Sequence, residues 1–266
     1  MSNIFQKVRH KLLFYIHKPN LPLSATNEKI IKKLGSHYGG WSFVDTPELQ
    51  GSTIINCGLG EDASFDIGFA SKYNAKVIMV DPTPRAVAHY NKFIKRAGQK
   101  ATTGFVQGGN QPVEAYDMEK LKESNFVMVG KALWTEAKKM KFFSPPNKDY
   151  VSHSINNIFN EGSADTDHIE VDSITVEQVM KENNLTSIPL MKVDIEGAEI
   201  EVLQDMMAKK IYPKQLLIEF DEYSLPSPKA KERVESTDRA LRNAGYEFIH
   251  FDRPSNFLYI HKPSFK

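Results

Sequence analysis

The chain has 266 residues, of which 41% are hydrophobic and 25% are charged, and this composition is typical of a globular protein that is long enough for one large α/β domain. The formal net charge of +1 provides no bulk attraction to nucleic acid, so no nucleic-acid partner is expected. The single cysteine, Cys57, excludes an internal disulfide framework and favours a reducing, cytoplasmic location. No apolar run reaches the roughly 18 residues that a membrane-spanning helix needs.

Residues 1–40 are predicted to form an N-terminal helical extension. Its first part has basic residues and, at helical spacing, the apolar residues Ile4, Phe5, Val8, Leu12 and Ile16. We expect such a helix to pack on the domain or on a second subunit, as in a homodimer. The alternative is contact of residues 1–18 with the inner membrane surface. A second, short helix is predicted in "NEKIIKKLG", with Gly35 at its end.

Beyond residue 40, segments that predict strands alternate with segments that predict helices. The predicted strands, in chain order, are "TIINC", "AKVIMVD", "NFVMVGKALW", "PLMKVD" and "KQLLIEF". The predicted helices are the segment from Gly60 to Tyr73, "PRAVAHYNKFIKRAG", a helix opened by Thr175 and Gln178, "EGAEIEVLQDMMAKK" and Ala230–Ala244. This alternation implies a parallel sheet with right-handed crossovers.

Three further segments complete the predicted order. "KKMKFFS" is predicted to form a strand beside the third strand, and "NEGSADTDH", which lacks apolar residues, is predicted to be a surface loop. The C-terminal segments "YEFIHF" and "FLYIH" are joined by "DRPSN" and predict an antiparallel hairpin. Residues 41–266 are therefore expected to form one domain around a seven-stranded, mostly parallel sheet that ends in this hairpin.

A glycine turn follows the first predicted strand, in the stretch "IINCGLGEDASFD" at Ile54–Asp66. Doubly wound sheets bind ligands beyond the carboxyl ends of their strands, and Gly58 and Gly60 would let the backbone turn sharply there. Asp81 ends the second strand about twenty residues later, where an acid commonly accepts hydrogen bonds from a ribose. The pattern therefore predicts a nucleotide-like ligand.

Glu61 and Asp62 discriminate between such ligands. The N-terminus of a helix attracts anions, but carboxylates in that turn would repel a pyrophosphate, and they could instead cap the helix themselves. S-adenosylmethionine (SAM) carries an ammonium and a sulfonium, offers a ribose to Asp81 and has no phosphate. SAM is therefore the expected cofactor, and the C-terminal antiparallel hairpin, which is typical of methyltransferases, also favours it.

The chain resembles the FkbM family of SAM-dependent methyltransferases in five motifs. They are "HYGGWSF" at His37–Phe43, "GLGEDASFD" at Gly58–Asp66, "VDPTPRA" at Val80–Ala86, "MKVDIEGAEIEVL" at Met191–Leu203 and "LLIEF" at Leu216–Phe220. The resemblance covers roughly residues 37 to 262. It implies a Rossmann-like class I methyltransferase domain that uses SAM to methylate a hydroxyl, often on a sugar or a natural product.

The resemblance also implies which residues bind the cofactor. The methionine part of SAM would lie against the glycine turn, which contributes Gly58, Gly60, Glu61, Asp62 and Ser64. The ribose would be held by Asp81, with Pro82 and Thr83 beside the adenine. The adenine edge would be contacted at the end of the third strand by Lys131, Ala132 and Leu133.

Methyl transfer from a sulfonium requires the protein to align an acceptor oxygen with the methyl group and to remove its proton. Asp194 and Glu196 follow the fourth strand and Glu219 ends the fifth, so these acids are the candidate catalytic residues, with Asp194 as general base. Alternatively, Asp194 caps the next helix and holds the methionine amino group. Glu199 is expected to be a surface or capping charge. Carboxylates at these strand ends, including Asp221 just beyond, could hold Mg²⁺, but no ligand spacing favours a metal.

Aromatic residues near the site are candidates for contact with the acceptor. Trp41 and Trp134 could stack on a sugar face, with core packing as the alternative, and His153 is a further candidate base or acceptor contact. The leading hypothesis is an O-methyltransferase that acts on a saccharide, a lipid-linked glycan or a related natural product, with a role in polysaccharide modification. A nicotinamide-dependent oxidoreductase and a SAM-binding module without catalysis are the alternatives.

Overall fold

The computed structural model describes residues 2–24, 30–144, 153–155, 167–223, 226–252 and 255–264. Its helices and strands, in chain order, are α1 (Ser2–His17), β1 (Ile31–Leu34), β2 (Trp41–Val44), β3 (Thr53–Cys57), α2 (Ser64–Tyr73), β4 (Lys76–Val80), α3 (Pro84–Phe93), β5 (Phe126–Val129), β6 (Ala132–Leu133), β7 (Lys139–Phe143), β8 (His168–Ile174), α4 (Val176–Glu182), β9 (Leu190–Val193), α5 (Glu199–Ala208), β10 (Gln215–Glu219), α6 (Pro228–Asn243), β11 (Tyr246–Phe251) and β12 (Asn256–His261). The predicted loop "NEGSADTDH" lies outside the described residues except for its last two positions. Among the described helices, none has the length and apolarity needed to cross a bilayer.

Seven strands form the central sheet in the order β11-β12-β10-β9-β3-β4-β5. The pairs from β10 to β5 are parallel, and β12 runs antiparallel to both of its neighbours. The predicted fold class, a seven-stranded, mostly parallel sheet with a C-terminal antiparallel hairpin, is therefore confirmed. The chain enters this sheet at β3, and the strand order reverses there, with β4 on one side and β9 on the other.

Helices cover both faces of this sheet because successive residues of its strands point to opposite faces. On β3, Ile54 belongs to the core on one face, whereas Ile55 and Cys57 belong to the core on the other. Aromatic residues of α2 and α3, such as Phe69 and Phe93, pack in the first core. Aliphatic residues of α4, α5 and α6 pack in the second core. The burial of apolar side chains on both faces fixes β3 at the centre of the molecule.

The prediction of a helix in "NEKIIKKLG" was wrong. The structure has the strand β1 there, which pairs antiparallel with β2 so that Leu34 lies opposite Trp41. The sequence is rich in helix-forming residues, but pairing with a partner strand that is fully buried overrides this local preference. The division of the chain into residues 1–40 and 41–266 stays a prediction.

The prediction for the third strand and for "KKMKFFS" was also partly wrong. "NFVMVGKALW" divides at Gly130 into β5, in the central sheet, and β6. The strand β7 does not pair with either of them, because it pairs antiparallel with β8, which was not predicted. The three strands β6, β8 and β7 form a small separate sheet. The capping box at the start of α4 is confirmed, since Thr175 Oγ1 accepts from the Gln178 backbone N–H at 3.1 Å.

Candidate active site

A cavity of about 620 Å³ lies at the carboxyl edge of the central sheet, beside the reversal of strand order. This volume is within the range of roughly 300–1,000 Å³ that is usual for small-molecule sites. One side of the cavity, which we call the glycine-turn half, consists of Gly58–Asp62 after β3 and Asp81–Thr83 after β4. The other side, which we call the carboxylate half, consists of Asp194–Glu196 after β9, Glu219 at the end of β10 and Asp221 just beyond it.

Gly58 brings the two halves of the cavity together. Its φ is +88°, and a Cβ at this position would lie 1.7 Å from the carbonyl oxygen of Asp194. The Lys192 ammonium donates to the carbonyl oxygen of Gly58 at 2.6 Å, which joins the ends of β3 and β9 a second time. Only glycine combines this positive φ with so close an approach. Gly60 also has a positive φ, +57°, but the space around its Cβ position is open.

Asp81 holds the glycine turn in place. Its Oδ2 accepts hydrogen bonds from the backbone N–H groups of Leu59 and Gly60, at 3.0 and 2.9 Å. Its Oδ1 accepts from the backbone N–H and the hydroxyl of Thr83, at 2.8 and 2.7 Å. The side chain is buried, so these four bonds satisfy the carboxylate inside the protein. Asp81 therefore shapes the turn, and its contact with a ribose stays a prediction.

The two acids of the turn have different partners. Asp62 accepts from the Ser36 hydroxyl at 2.6 Å and from the Gly39 and Ser64 backbone N–H groups at 3.1 and 2.9 Å. Asp62 thereby fastens the β1–β2 connection to the start of α2. Glu61 instead forms an ion pair with Arg85 of α3. The negative charge of Glu61 is therefore partly neutralised before any ligand binds.

Two polar side chains form the floor of the cavity beneath the turn. Asn56 of β3 and Asp66 of α2 are both buried, and the Asn56 amide donates to Asp66 Oδ1 at 2.5 Å. Burial raises the pKa of Asp66 to about 7, and the neighbouring Lys192 opposes this shift only in part. Asn56 Oδ1 has no hydrogen-bond partner among the described residues. The floor of the cavity therefore contains one buried amide oxygen without a partner among the described residues.

An ion pair connects the floor of the cavity to the carboxylate half. The Lys192 ammonium lies 2.9 Å from Asp194 Oδ2 and 5.2 Å from the centre of the Trp41 ring. Burial opposes the charge on Lys192, but the carboxylates of Asp194, Asp66 and Glu219 outweigh it and raise the pKa of Lys192. Lys192 therefore stays protonated and fixes the position of Asp194.

The backbone after Asp194 is held in an unusual conformation. Glu196 has a φ of +56°, in the left-handed region that few residues other than glycine adopt, and Gly197 follows with a φ of +90°. Glu199 stabilises this turn by accepting from the Ile195 N–H at 2.8 Å and from the Gly197 N–H at 3.0 Å. Glu199 was expected to be a surface or capping charge. It caps the turn, but it is completely buried, so the surface alternative is wrong.

Asp221 has an unsatisfied oxygen in the wall of the carboxylate half. It is 8% exposed, and its Oδ2 has no hydrogen-bond partner among the described residues. Burial raises the pKa of Asp221 well above its usual range, and the nearby acids Glu199 and Glu196 add to this effect. Burial likewise raises the pKa of Glu199. Burial therefore favours the protonated form of Asp221, which can donate a hydrogen bond.

Most residues predicted from the sequence line this cavity. They are Trp41, Gly58, Gly60, Glu61, Asp62, Asp81, Pro82, Thr83, Ala132, Leu133, His153, Asp194, Glu196 and Glu219. Three predicted residues lie outside the wall. Ser64 is buried, and its Oγ accepts a hydrogen bond from the Ser36 N–H. The Lys131 ammonium lies 4.0 Å from the Glu182 carboxylate. Trp134 packs against the second core. Core packing, the alternative considered for tryptophan, applies to Trp134.

Sequence reasoning missed several cavity residues, among them the polar residues Asn56, Asp66, Arg85, Lys192 and Asn256. Lys192 had a visible signal, because it is the only charged residue within the apolar strand "LMKV" and needs a buried partner there. Asn56 had the same signal in "TIINC". Asn256 had none, since a polar residue at the start of a hairpin strand is common. No group of three or more potential metal ligands occurs among the described residues.

A model of the FkbM methyltransferase domain matches residues 46–248, which is more than half of the chain. The chain belongs to the FkbM methyltransferase family. The resemblance seen in the motifs is thereby confirmed, and the protein is a SAM-dependent methyltransferase, which decides against the nicotinamide-dependent oxidoreductase. No match was found among curated protein sequences.

Among solved structures, this FkbM-family chain is similar to the fibrillarin pre-rRNA processing protein of Methanococcus jannaschii. The two share 10% sequence identity, over 91% of this chain and 86% of that one, with a TM-score of 0.38. A likeness at this level supports no conclusion about substrate.

The cavity of this FkbM-family protein fits SAM. Its volume is that of a small-molecule site, and the carboxylates of Asp62 and Asp194 complement a ligand with an ammonium and a sulfonium. The assignment of Gly58, Gly60, Asp62 and Asp81 to SAM stays a prediction. Glu61 is a weaker partner for a cation than the sequence predicts, because Arg85 already pairs with it.

Proposed function

We propose that this methyltransferase transfers the methyl group of SAM to a neutral hydroxyl, on a saccharide or a related natural product. One observation carries the proposal, namely that Asp194, Glu219 and Asp221 converge on the half of the cavity beside the glycine turn. Carboxyl groups hydrogen-bond sugar hydroxyls, whereas they repel phosphates and carboxylates. Lys192 lies beside this half, but its ammonium forms an ion pair with Asp194 and donates a hydrogen bond to the Gly58 carbonyl, so both partners compete with an anionic acceptor.

When bound, SAM supplies a methyl group attached to a positively charged sulfur. The acceptor oxygen bonds the methyl carbon while the C–S bond breaks, and the sulfur keeps the electron pair of that bond. The side chains of this protein must hold the acceptor oxygen in line with that bond and take up its proton. Water must also be kept from the reacting atoms, and the buried ring of Trp41 forms part of the wall that does so.

Asp194 is the proposed general base. It follows β9 directly, its backbone carbonyl touches the glycine turn at Gly58, and Lys192 fixes the orientation of its side chain. A carboxylate in this place can accept the proton of the acceptor hydroxyl. The alternative role, in which Asp194 holds the methionine amino group, predicts a different phenotype, because its loss would weaken SAM binding and leave saturated turnover intact.

Asp221 is the proposed positioning group for the acceptor. Its raised pKa favours the protonated carboxyl, and its Oδ2 has no partner among the described residues, so this group can donate a hydrogen bond to an acceptor oxygen while Asp194 accepts the proton. Glu219 and Glu196 complete this wall, and Trp41 offers an aromatic edge for a sugar face. Because His153 stacks on Phe142, with ring centres 6.0 Å apart, its imidazole is held at the rim of the cavity.

The proposal is tested by incubating the protein with methyl-labelled SAM and three acceptor classes. These are neutral saccharides, sugar phosphates or sugar nucleotides, and primary amines. We expect label on the neutral saccharides, as an ether that resists acid, and loss of this label in Asp194→Asn. Asp117→Asn, at an exposed position away from the cavity, is the matched control. Label on the amines alone, or on the phosphates alone, would contradict O-methylation of a neutral hydroxyl.

A further inference from the structure

The N-terminal helix α1 presents an apolar stripe to solvent. Val8, Leu12, Tyr15 and Ile16 follow helical spacing and are 61%, 58%, 70% and 56% exposed. Single exposed apolar residues are normal on soluble proteins, but four on one face of one helix form a patch. Such patches mark surfaces that bind a partner or a membrane.

The stripe is not the result of a detached helix. On the opposite face of α1, the Phe14 ring packs 5.8 Å from the ring of Tyr223, and Leu13 and His17 are half-buried. Just beyond the helix, the Asn20 N–H donates to Glu235 of α6 at 2.9 Å. The helix is therefore held on the domain by one face, and the described residues leave the other face uncovered.

The charge around the stripe distinguishes between partners. The first 27 residues contain no aspartate or glutamate, and Arg9 and Lys11, which are both exposed, flank the apolar stripe on either side. Two copies of this helix packed on each other by a two-fold axis would bring these like charges together. An anionic lipid surface would instead attract them while it accepts the apolar side chains.

We propose that α1 docks the protein on the surface of a bilayer that contains anionic lipids. Val8, Leu12 and Ile16 would enter the boundary between headgroups and acyl chains, and Arg9 and Lys11 would contact the headgroups. The helix lies on the membrane and does not cross it, in keeping with its 16 residues and its basic side chains. Anionic lipids concentrate on the cytoplasmic leaflet, which matches the location expected from the single, buried Cys57.

The attachment of α1 connects this surface to the active site. Phe14 contacts Tyr223, which lies in the same short helical turn as Asp221 of the carboxylate half. A docked helix would therefore bring the acceptor side of the cavity close to the membrane. This favours an acceptor carried on a lipid, a step that rests on the proposed function.

Vesicle sedimentation of the full-length protein tests the docking without any methyl transfer. Vesicles of phosphatidylcholine with phosphatidylglycerol are compared with vesicles of phosphatidylcholine alone, at low and high salt. We expect sedimentation with the anionic vesicles only, and weaker sedimentation at high salt. Since each basic residue near an anionic surface strengthens binding by roughly fivefold, we expect the double variant Arg9→Glu, Lys11→Glu to bind at least about 25-fold more weakly.

Leu12→Glu tests the apolar stripe separately from the charges, and we expect it to abolish sedimentation at an unchanged melting temperature. Val106→Glu is the matched control, because Val106 is an exposed valine far from α1 in sequence and is expected to leave binding unchanged. Equal sedimentation of wild type and Leu12→Glu would overturn the proposal. A wild-type dimer in solution that Leu12→Glu dissociates, with no vesicle binding, would overturn it in favour of a second copy of the chain. Methyl transfer to a soluble acceptor would persist in either case, so failure here is distinct from failure of the proposed function.

Discussion

The two halves of the cavity differ in how their polar groups are satisfied. In the glycine-turn half, Asp81 accepts four hydrogen bonds, Asp62 accepts three, and Glu61 has its own cation. In the carboxylate half, Asp221 leaves one buried oxygen without a partner among the described residues, and Glu196 has a left-handed backbone. A half whose hydrogen bonds are satisfied within the protein keeps one shape, and this suits the binding of a cofactor that is the same in every reaction cycle. Unsatisfied and strained groups are characteristic of the place where a substrate reacts.

The largest loss of stability is expected at the contact between the two halves, where Gly58 lies against Asp194. In Gly58→Ala, the new methyl group would overlap the carbonyl oxygen of Asp194 at a φ that alanine disfavours. We expect a loss of more than about 4 kcal/mol in the free energy of unfolding, or failure to fold. Gly60→Ala is the matched control, with a positive φ but open space, and is expected to lose about 1–2 kcal/mol. Similar losses in chemical denaturation would show that Gly58 is not held against Asp194.

Within the carboxylate half, two isosteric variants separate the base from the positioning group. Asp194→Asn removes the proposed base, so we expect turnover to fall by about 10²–10⁴-fold with SAM affinity within a few-fold of wild type. Asp221→Asn keeps a hydrogen-bond donor at this position and removes the acid. We expect it to lower turnover by less than about 10-fold, with the change mainly in the KM for the acceptor. Saturation kinetics that give the larger loss to Asp221→Asn would reverse the two roles.

The floor of the cavity predicts how stability depends on pH. The pKa of Asp66 is about 7 in the folded protein and about 4 in the unfolded chain, so folding favours its protonated form. The contribution of Asp66 is fully present below about pH 4 and is lost as the pH rises to about 7, by up to about 4 kcal/mol. Asp66→Asn mimics the neutral acid and can donate to Asn56 Oδ1, so it should be more stable than wild type at pH 8 and similar at pH 4.

The control for this pH dependence is Asp117→Asn, a substitution at an exposed position. We expect its stability to differ from wild type by the same small amount at every pH. Unfolding at a series of pH values measures both variants. A difference between Asp66→Asn and wild type that does not change between pH 4 and pH 8 would show that Asp66 ionises normally in the fold.

In the glycine-turn half, Asp81→Ala should affect both stability and cofactor affinity. Leu59, Gly60 and Thr83 would lose their common acceptor, so we expect the free energy of unfolding to fall by roughly 1–3 kcal/mol. A similar loss is expected in SAM affinity, since the turn would no longer be held in shape. Calorimetric titration and thermal shift with SAM measure the two effects. SAM affinity equal to wild type would remove Asp81 from the cofactor site.

The smallest effect is expected at the rim of the same half. Because Arg85 is 39% exposed and Glu61 is 15% exposed, their ion pair is screened by solvent. We expect Glu61→Gln to change the free energy of unfolding by less than about 1 kcal/mol and SAM affinity by less than about fivefold, with both changes smaller at high salt. A loss of SAM affinity above about tenfold would show that Glu61, and not only Asp62, faces the cation of the ligand.

The order of strands and helices in the domain was predictable because it depends on short-range patterns. Short, mostly apolar runs such as "PLMKVD" are typical of buried strands, and a glycine such as Gly245, with a positive φ, ends a helix by local backbone preference. The glycine turn and Asp81 were predictable for the same reason, since their spacing along the chain fixes their place at the sheet edge. The motif pattern gave the family, which the domain match confirms.

Contacts between distant segments decided what the sequence alone could not. "NEKIIKKLG" forms a strand, not a helix, because β2 pairs with it, and Glu199 is buried because the Ile195–Gly197 turn needs an acceptor. The glycines at 58 and 60 look alike in sequence, yet only Gly58 lies against the backbone of a residue more than a hundred positions away, Asp194. The ionisation of Asp66 and Asp221 likewise follows from burial, which local sequence does not specify. Packing brings these groups together, and packing depends on the whole chain.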